Sequence, residues 1–304
     1  MNVREWALVA FTILAQMSVG AFVVLGLVHT WVMQRYSTDK ADQISDRALL
    51  AIGPTLVLGL MASLFHLGNP LFAYRAVFNV GSSWLSREIA LGSTFALLGA
   101  LFAFLQWRKL GSFELRNAVA LLAATVGLVL VYAMARVYML PTQPAWNTWA
   151  TPVSFFVTTF LLGTLAIGAA FVATYWLERQ GGRMQGSALA EVLRPVLRAL
   201  ALAGIVLLGL EFVVAPLSVA MMATGGAAAS VAMLSSQYGG MFALRLALVF
   251  LGAGVFGVWL YRTALRPGAE TLLGRLAWTA FALVFVSEVL GRFLFYATHV
   301  KIGL

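Results

Sequence analysis

Cysteine is absent from this 304-residue protein, which excludes disulfides, thiolate zinc sites and iron–sulfur clusters held by the protein itself. Charge is scarce as well: Asp, Glu, Lys and Arg make up 10% of the residues, against about a quarter in a soluble domain. What fills the sequence instead is apolar, at 62% with a mean hydropathy of +0.91. A membrane-spanning helix needs about 20 apolar residues, so eight crossings take roughly 160 residues and leave roughly 144 for loops and helix ends. No soluble catalytic domain fits in what remains. The 20 Lys and Arg residues outnumber the 11 Asp and Glu for a net charge of +9, but they lie between apolar runs rather than in one patch. That distribution excludes a nucleic-acid partner and reads as topology.

The apolar runs predict an all-α, polytopic integral membrane protein, a bundle of eight transmembrane helices over 6–33, 48–67, 88–107, 118–140, 153–177, 195–215, 240–261 and 275–299. Residues 1–304 are expected to form one such domain. The run from Trp6 to Met33 is too long for the apolar core of a signal peptide and is expected to stay as the first helix. Pro141, Pro144, Pro152 and Pro216 are placed at or just beyond helix ends, and Pro54 and Pro195 in first turns. No internal repeat and no mid-span break is evident.

Orientation follows from the basic residues. The connections after helices 1, 3, 5 and 7 carry thirteen: Arg35, Lys40, Arg47, Arg108, Lys109, Arg116, Arg179, Arg183, Arg194, Arg198, Arg262, Arg266 and Arg275. The other side has four, Arg4, Arg75, Arg87 and Lys301. The positive-inside rule then puts both termini on the non-cytoplasmic side.

Ionisable residues inside membrane helices are costly, and each is a candidate functional group. Glu88, Arg136, Glu211, Arg245, Glu288 and Arg292 all fall in the outer half of this topology, three acids with three arginines. Glu211, Arg245, Glu288 and Arg292 read as a structural charge network, with Glu288 and Arg292 at the i, i+4 spacing that allows an ion pair within one helix. His66 precedes a helix break at Gly68-Asn69-Pro70, at headgroup depth, followed by Tyr74 and Arg75. Arg136 and Tyr138 lead into the Trp146–Trp149 segment on the same face; taken alone, those two tryptophans read as an interfacial belt. His29 lies at the opposite end of helix 1, at headgroup level. Only His66 and His299 share a depth, both at the outer edge, so neither haem nor any metal is expected.

A titratable cluster with aromatics at one membrane face, in a bundle without cofactor motifs, suits a quinone. Removing two electrons and two protons from a quinol requires a proton acceptor, a proton exit and an electron acceptor on another subunit. The expected proton acceptor is His66, whose ordinary pKa is near 6.5, with Glu88 relaying the proton to water. Arg136 or Arg75 would stabilise negative charge on the quinol oxygen. Tyr74, Tyr138 and Trp149 complete the expected quinone-binding set.

The strings His66-Leu-Gly-Asn-Pro-Leu-Phe-Ala-Tyr-Arg75, Ser86-Arg-Glu88-Ile, Arg136-Val-Tyr138, Trp149-Ala-Thr-Pro152 and Glu288-Val-Leu-Gly-Arg292-Phe-Leu-Phe-Tyr296 with His299 closely resemble the membrane-anchor subunit of dimethyl sulfoxide reductase. The resemblance covers essentially the whole sequence. It implies an eight-helix anchor in a bacterial cytoplasmic (inner) membrane, without haem, exchanging electrons between menaquinol and a ferredoxin-like iron–sulfur subunit attached to a molybdopterin catalytic subunit. It implies that the quinol-site histidine is His66, with Glu88 and Arg75 nearby. The terminal substrate does not transfer, because relatives resembling sulfite dehydrogenases, which run toward quinone reduction, and polysulfide or tetrathionate reductases use the same architecture. A transporter would need midplane breaks and inverted repeats, and a purely structural anchor would leave the quinone to another subunit.

Overall fold

The structure is a computed structural model that describes residues 3–64, 74–75, 78–182 and 188–300. Its described residues are helical, in the order α1 (Val3–Arg35), α2 (Thr38–Leu64), α3 (Trp84–Arg108), α4 (Phe113–Tyr138), α5 (Ala150–Gln180), α6 (Ala188–Thr224), α7 (Ala228–Ser236), α8 (Gly239–Val249), a π-helical stretch Phe250–Phe256, α9 (Gly257–Thr263) and α10 (Glu270–Ala297). Among the described residues, seven helical stretches are long and apolar enough to cross a membrane, with α8, the π stretch and α9 counting as one. The expected crossing over 48–67 falls on α2, whose apolar stretch is the shorter Ile52–Ala62. Residues 65–67 lie outside the described residues. The protein is a multi-span, all-α membrane protein.

Backbone groups in lipid have no water to satisfy them, so helices that close their own hydrogen bonds are the outcome this composition dictates. Ser83 caps α3 by accepting from Ser86 N at 3.4 Å, and Ser112 caps α4 by accepting from Leu115 N at 3.2 Å. The core forms around α1 and α5. These are the most enclosed of the spans, with α2 and α5 against α1, α6 and α10 against α5, and α3 paired with α4. Gly20 and Gly163 make the α1–α5 approach possible: a Cβ on Gly20 would strike Thr159 O, and one on Gly163 would strike the backbone of Gly20. Small residues at such a crossing let two helix backbones approach closely in a membrane.

Three proline placements are corrected. Pro54 lies inside α2, and Pro195 and Pro216 lie inside α6. Neighbouring helices and side chains can re-satisfy the freed backbone groups in a membrane bundle, which is why such prolines are tolerated. With 37 residues, α6 is about 55 Å long, well beyond a hydrocarbon core of about 30 Å. The long connection after it carries the short helix α7, which the apolar pattern did not predict. The crossing expected over 240–261 is also not regular, since Phe250–Phe256 is π-helical in mid-span, where the sequence shows no break.

At the end of the bundle where α1 meets α2 and α3 meets α4, a polar clasp joins the helices. Lys109 Nζ contacts Asp46 at 2.9 Å and Asp42 at 3.3 Å, and Gln106 Nε2 donates to Asp46 at 2.8 Å. Lys109 itself adopts the left-handed conformation, φ 51°, at the end of α3, a placement these contacts help to hold. His29 belongs to this clasp, 3.2 Å from Ser45 Oγ, 3.7 Å from Asp42 and stacked on Phe113. It is an inter-helix contact rather than a free headgroup-level residue.

Candidate functional site at the opposite end of the bundle

The antiparallel arrangement brings the start of α1, α3, α5 and α8 to the same end as the close of α4 and α10. Glu88, in the second turn of α3, is 5% exposed. No described residue forms an ion pair with it, and Tyr138 at the close of α4 and Tyr296 at the close of α10 lie at the same end of the bundle. Tyr296 Oη donates to Tyr138 Oη at 2.8 Å, joining the end of α10 to the end of α4. Aromatic rings seal this pair. Tyr138 meets Trp146 at 5.4 Å, Phe295 at 5.4 Å and Phe155 at 6.0 Å between centroids.

Trp146 corrects the belt reading. Its indole Nε1 donates to Phe295 O at 2.8 Å, and its ring stacks on Phe295 at 5.1 Å and on the His299 imidazole at 4.6 Å. A half-buried indole packed between helices finds a partner for its N–H, and here that partner lies 149 residues away in sequence. Trp149, by contrast, is 52% exposed. The tyrosine and tryptophan contacts therefore tie α4, the turn before α5, and α10 into one wall at the end of the bundle that holds Glu88.

Arg136 is turned elsewhere. Its guanidinium lies 5.1 Å from the Trp84 ring centroid, while Arg87 lies 4.4 Å from that centroid and donates to Val80 O and Gly81 O, both at 2.8 Å. Both cations use the indole ring, whose quadrupole attracts them. Tyr74 and Arg75 are exposed, with the Arg75 guanidinium 5.9 Å from the Tyr74 ring. His66 lies outside the described residues. Of the expected quinone-binding set, the structure buries Glu88 and Tyr138 at the same end of the bundle, sets Arg136 on Trp84, and leaves Tyr74, Arg75 and Trp149 at the surface.

The second charged group lies beside this wall. Arg245 of α8 pairs with Glu211 of α6 and lies 4.0 Å from Glu288 of α10. Thr158 donates to Glu288 Oε2 at 2.7 Å, and Ser287 donates to Arg245 O at 2.8 Å. Arg245 fits because Gly291 has no side chain; a Cβ there would strike its guanidinium. The i, i+4 ion pair within α10 does not form. Arg292 instead donates to Gln16 Oε1 at 2.8 Å and lies 3.7 Å from the Phe155 ring centroid, because residues one turn apart on α10 meet different neighbours, α8 and α5 for Glu288, α1 and α5 for Arg292. Sequence reasoning missed Thr12 and Gln16, both fully buried, although polar side chains inside so apolar a run are a readable signal.

Among the described residues no group of three His, Asp or Glu converges to hold a metal ion. The site is a buried carboxylate and phenol pair in an aromatic wall, next to a four-charge network of two acids and two arginines.

The sequence matches the family described as DMSO reductase anchor subunit (DmsC) over residues 1–298. It belongs to that family. It is 30% identical over 303 residues to the C subunit of anaerobic dimethyl sulfoxide reductase of Escherichia coli strain K12, and 29% identical over 301 residues to the YnfH subunit of an anaerobic dimethyl sulfoxide reductase of the same strain. In both cases the match covers 99% of this protein and 97% of the relative. Among solved structures, the bd oxidase from Geobacillus thermodenitrificans superposes with a TM-score of 0.67 over 97% of this protein and 85% of that one, at 11% identity. That likeness is one of fold. As a member of the DMSO reductase anchor family, the protein is a multi-span membrane anchor subunit of a respiratory oxidoreductase.

Proposed function

We propose that the protein is the quinol-reacting anchor of a molybdopterin oxidoreductase, passing electrons between a menaquinone-type quinol and a ferredoxin-like iron–sulfur subunit that in turn serves the molybdopterin subunit. The observation that carries this reading is Glu88, buried with no ion-pair partner among the described residues, at the end of the bundle that also holds the Tyr138–Tyr296 hydroxyl pair. A carboxylate in that position can accept a proton from a hydroxyl, the Tyr138 phenol, which accepts from Tyr296, can donate to a carbonyl oxygen, and the half-buried Trp146 and Phe295 rings offer flat apolar surface. Those are the contacts a quinone headgroup takes. The quinone, when bound, supplies the two-electron, two-proton chemistry. His66 takes the quinol proton, Glu88 holds and passes it on, and Arg75 with Tyr74 and Trp149 frames the entrance. Arg136 lends positive charge from its place on Trp84. The whole protein works as one eight-helix domain in the bacterial inner membrane, its termini on the non-cytoplasmic side.

His66→Gln tests the reading. Glutamine keeps a donor and an acceptor at similar size but does not titrate near neutral pH. The variant complex should assemble and retain activity with a soluble electron donor or acceptor. Quinol-linked activity should fall by about 10² or more, the scale of losing general acid–base catalysis. Unchanged quinol-linked turnover would return His66 to a structural role and sink the proposal.

A further inference from the structure

A row of buried polar groups leads away from Glu88 behind the tyrosine pair. Tyr296 hydrogen-bonds Tyr138, and it lies one turn along α10 from Arg292 just as Thr12, whose hydroxyl donates to Leu8 O at 2.8 Å, lies one turn along α1 from Gln16. Gln16, one turn along α1 from Thr12, accepts from Arg292. Arg292 and Glu288 then line a cavity of about 100 Å³ between α5, α6, α8 and α10, whose wall also carries Arg245 and Glu211. From Tyr138 to Glu288 no member of the row is more than 8% exposed.

Polar and charged groups are expensive inside a membrane bundle. A network that served only to glue helices would satisfy its own hydrogen bonds. This one does not: Gln16 Nε2, Arg292 Nε, Glu288 Oε1, Glu211 Oε2 and Arg245 Nε have no hydrogen-bond partner among the described residues. Four of these five belong to residues lining the cavity, and they include both donors and acceptors. Two glutamates and two arginines leave the wall formally neutral, which suits water better than an ion. A water needs about 10–15 Å³ of such space and two to four polar partners, so the cavity has room for several.

We propose that the row Tyr138, Tyr296, Thr12, Gln16, joined by water wherever these groups do not bond one another, and ending at Glu288 and the hydrated cavity, is a proton exit from the quinol site. The inference rests on the reading of that site given above. Oxidation of one quinol releases two electrons, which pass to the iron–sulfur partner, and two protons. One proton leaves through His66 and Glu88. The other moves along the hydroxyl row, is held at the Glu288 carboxylate, and leaves through the cavity past Ser218 and Thr298, both of which line it. In the reverse direction the same row supplies a proton for quinone reduction.

Two variants of the assembled complex test this by different means. Glu288→Gln removes the proton-holding carboxylate but keeps an acceptor for Thr158. Ser218→Leu fills the cavity with apolar volume and removes no charge. In both, quinol-linked turnover should fall, by about 10² for Glu288→Gln, and its solvent deuterium isotope effect should rise. Activity with a soluble donor should persist, and affinity for a fluorescent hydroxynaphthoquinone analogue should stay within a factor of about two. Unchanged turnover and isotope effect in Ser218→Leu would overturn the proposal even if Glu288→Gln failed to assemble. Loss of analogue affinity in step with turnover would also overturn it, by showing that the cavity shapes the headgroup pocket. Failure of the unaltered complex to bind the analogue would instead overturn the quinol reading.

Discussion

Arg245 and Glu211 show how a single charge is tolerated at membrane depth. Glu211 is 1% exposed and its partner is Arg245, which has Glu288 4.0 Å away on its other side and gains its space from Gly291. Removing one member of a buried pair strands the other, which costs about 3–5 kcal/mol, whereas replacing both with apolar groups is often close to neutral. Arg245→Met should therefore lower the thermal midpoint of the purified complex strongly. The double variant Glu211→Leu/Arg245→Met should recover most of the loss. A double variant as damaged as the single one would mean that Arg245 matters mainly for Glu288. The sequence marks these residues as a charge network but pairs Glu288 with Arg292, because i, i+4 spacing is all that one helix reveals. Which carboxylate an arginine meets depends on where α8 and α1 pass α10.

Helix α1 shows what an element can hide. Its run from Trp6 to Met33 reads as a plain apolar span, yet it is among the most enclosed helices, with Thr12 and Gln16 on the polar row and Gly20 pressed on α5. The contact at Gly20 and Gly163 is backbone on backbone and cannot yield as a flexible side chain would. Gly163→Ala should therefore cost at least the roughly 1–3 kcal/mol typical of overpacking. Thermal unfolding in detergent should show a lower midpoint, whereas Gly53→Ala, where a Cβ meets nothing within 4 Å, should leave it unchanged. Equal midpoints for the two variants would refute the close α1–α5 crossing. The π-helical stretch Phe250–Phe256 and the prolines inside α2 and α6 belong to this scale as well. Proline is a helix breaker by its chemistry, and only neighbouring helices make it tolerable in mid-helix.

The molecule as a whole places Glu88, Glu211, Glu288, Tyr138, Tyr296 and Arg292 at one end of the bundle and the His29, Asp42, Asp46 and Lys109 clasp at the other. The proposed orientation, from thirteen basic residues against four, has the clasp end in the cytoplasm and the Glu88 end outside. Reporter fusions after Arg183 and after Trp146 should give cytoplasmic and external signals respectively. The reverse pattern would invert the orientation and, under the proposed function, move the docking face of the iron–sulfur partner to the cytoplasm, since electron transfer would need that partner near the Glu88 end.

Residue order and composition are enough to establish the class of protein, the position of most crossings, the family, and the end of the bundle where polar groups gather. The family follows from its motif strings, and the rest from one-dimensional constraints: backbone in lipid must be helical, a crossing takes about 20 apolar residues, and charge inside it is rare enough to be conspicuous. Helix packing alone settles that Trp146 turns inward onto His299 and Phe295, that Tyr138 meets Tyr296, that Arg136 goes to Trp84 while Arg292 goes to Gln16, and that Glu211 and Glu288 line a common cavity. Those partners are separated by as many as 276 residues. Side chains so far apart meet only where helix crossings bring them together, and the packing of small residues between helices sets those crossings.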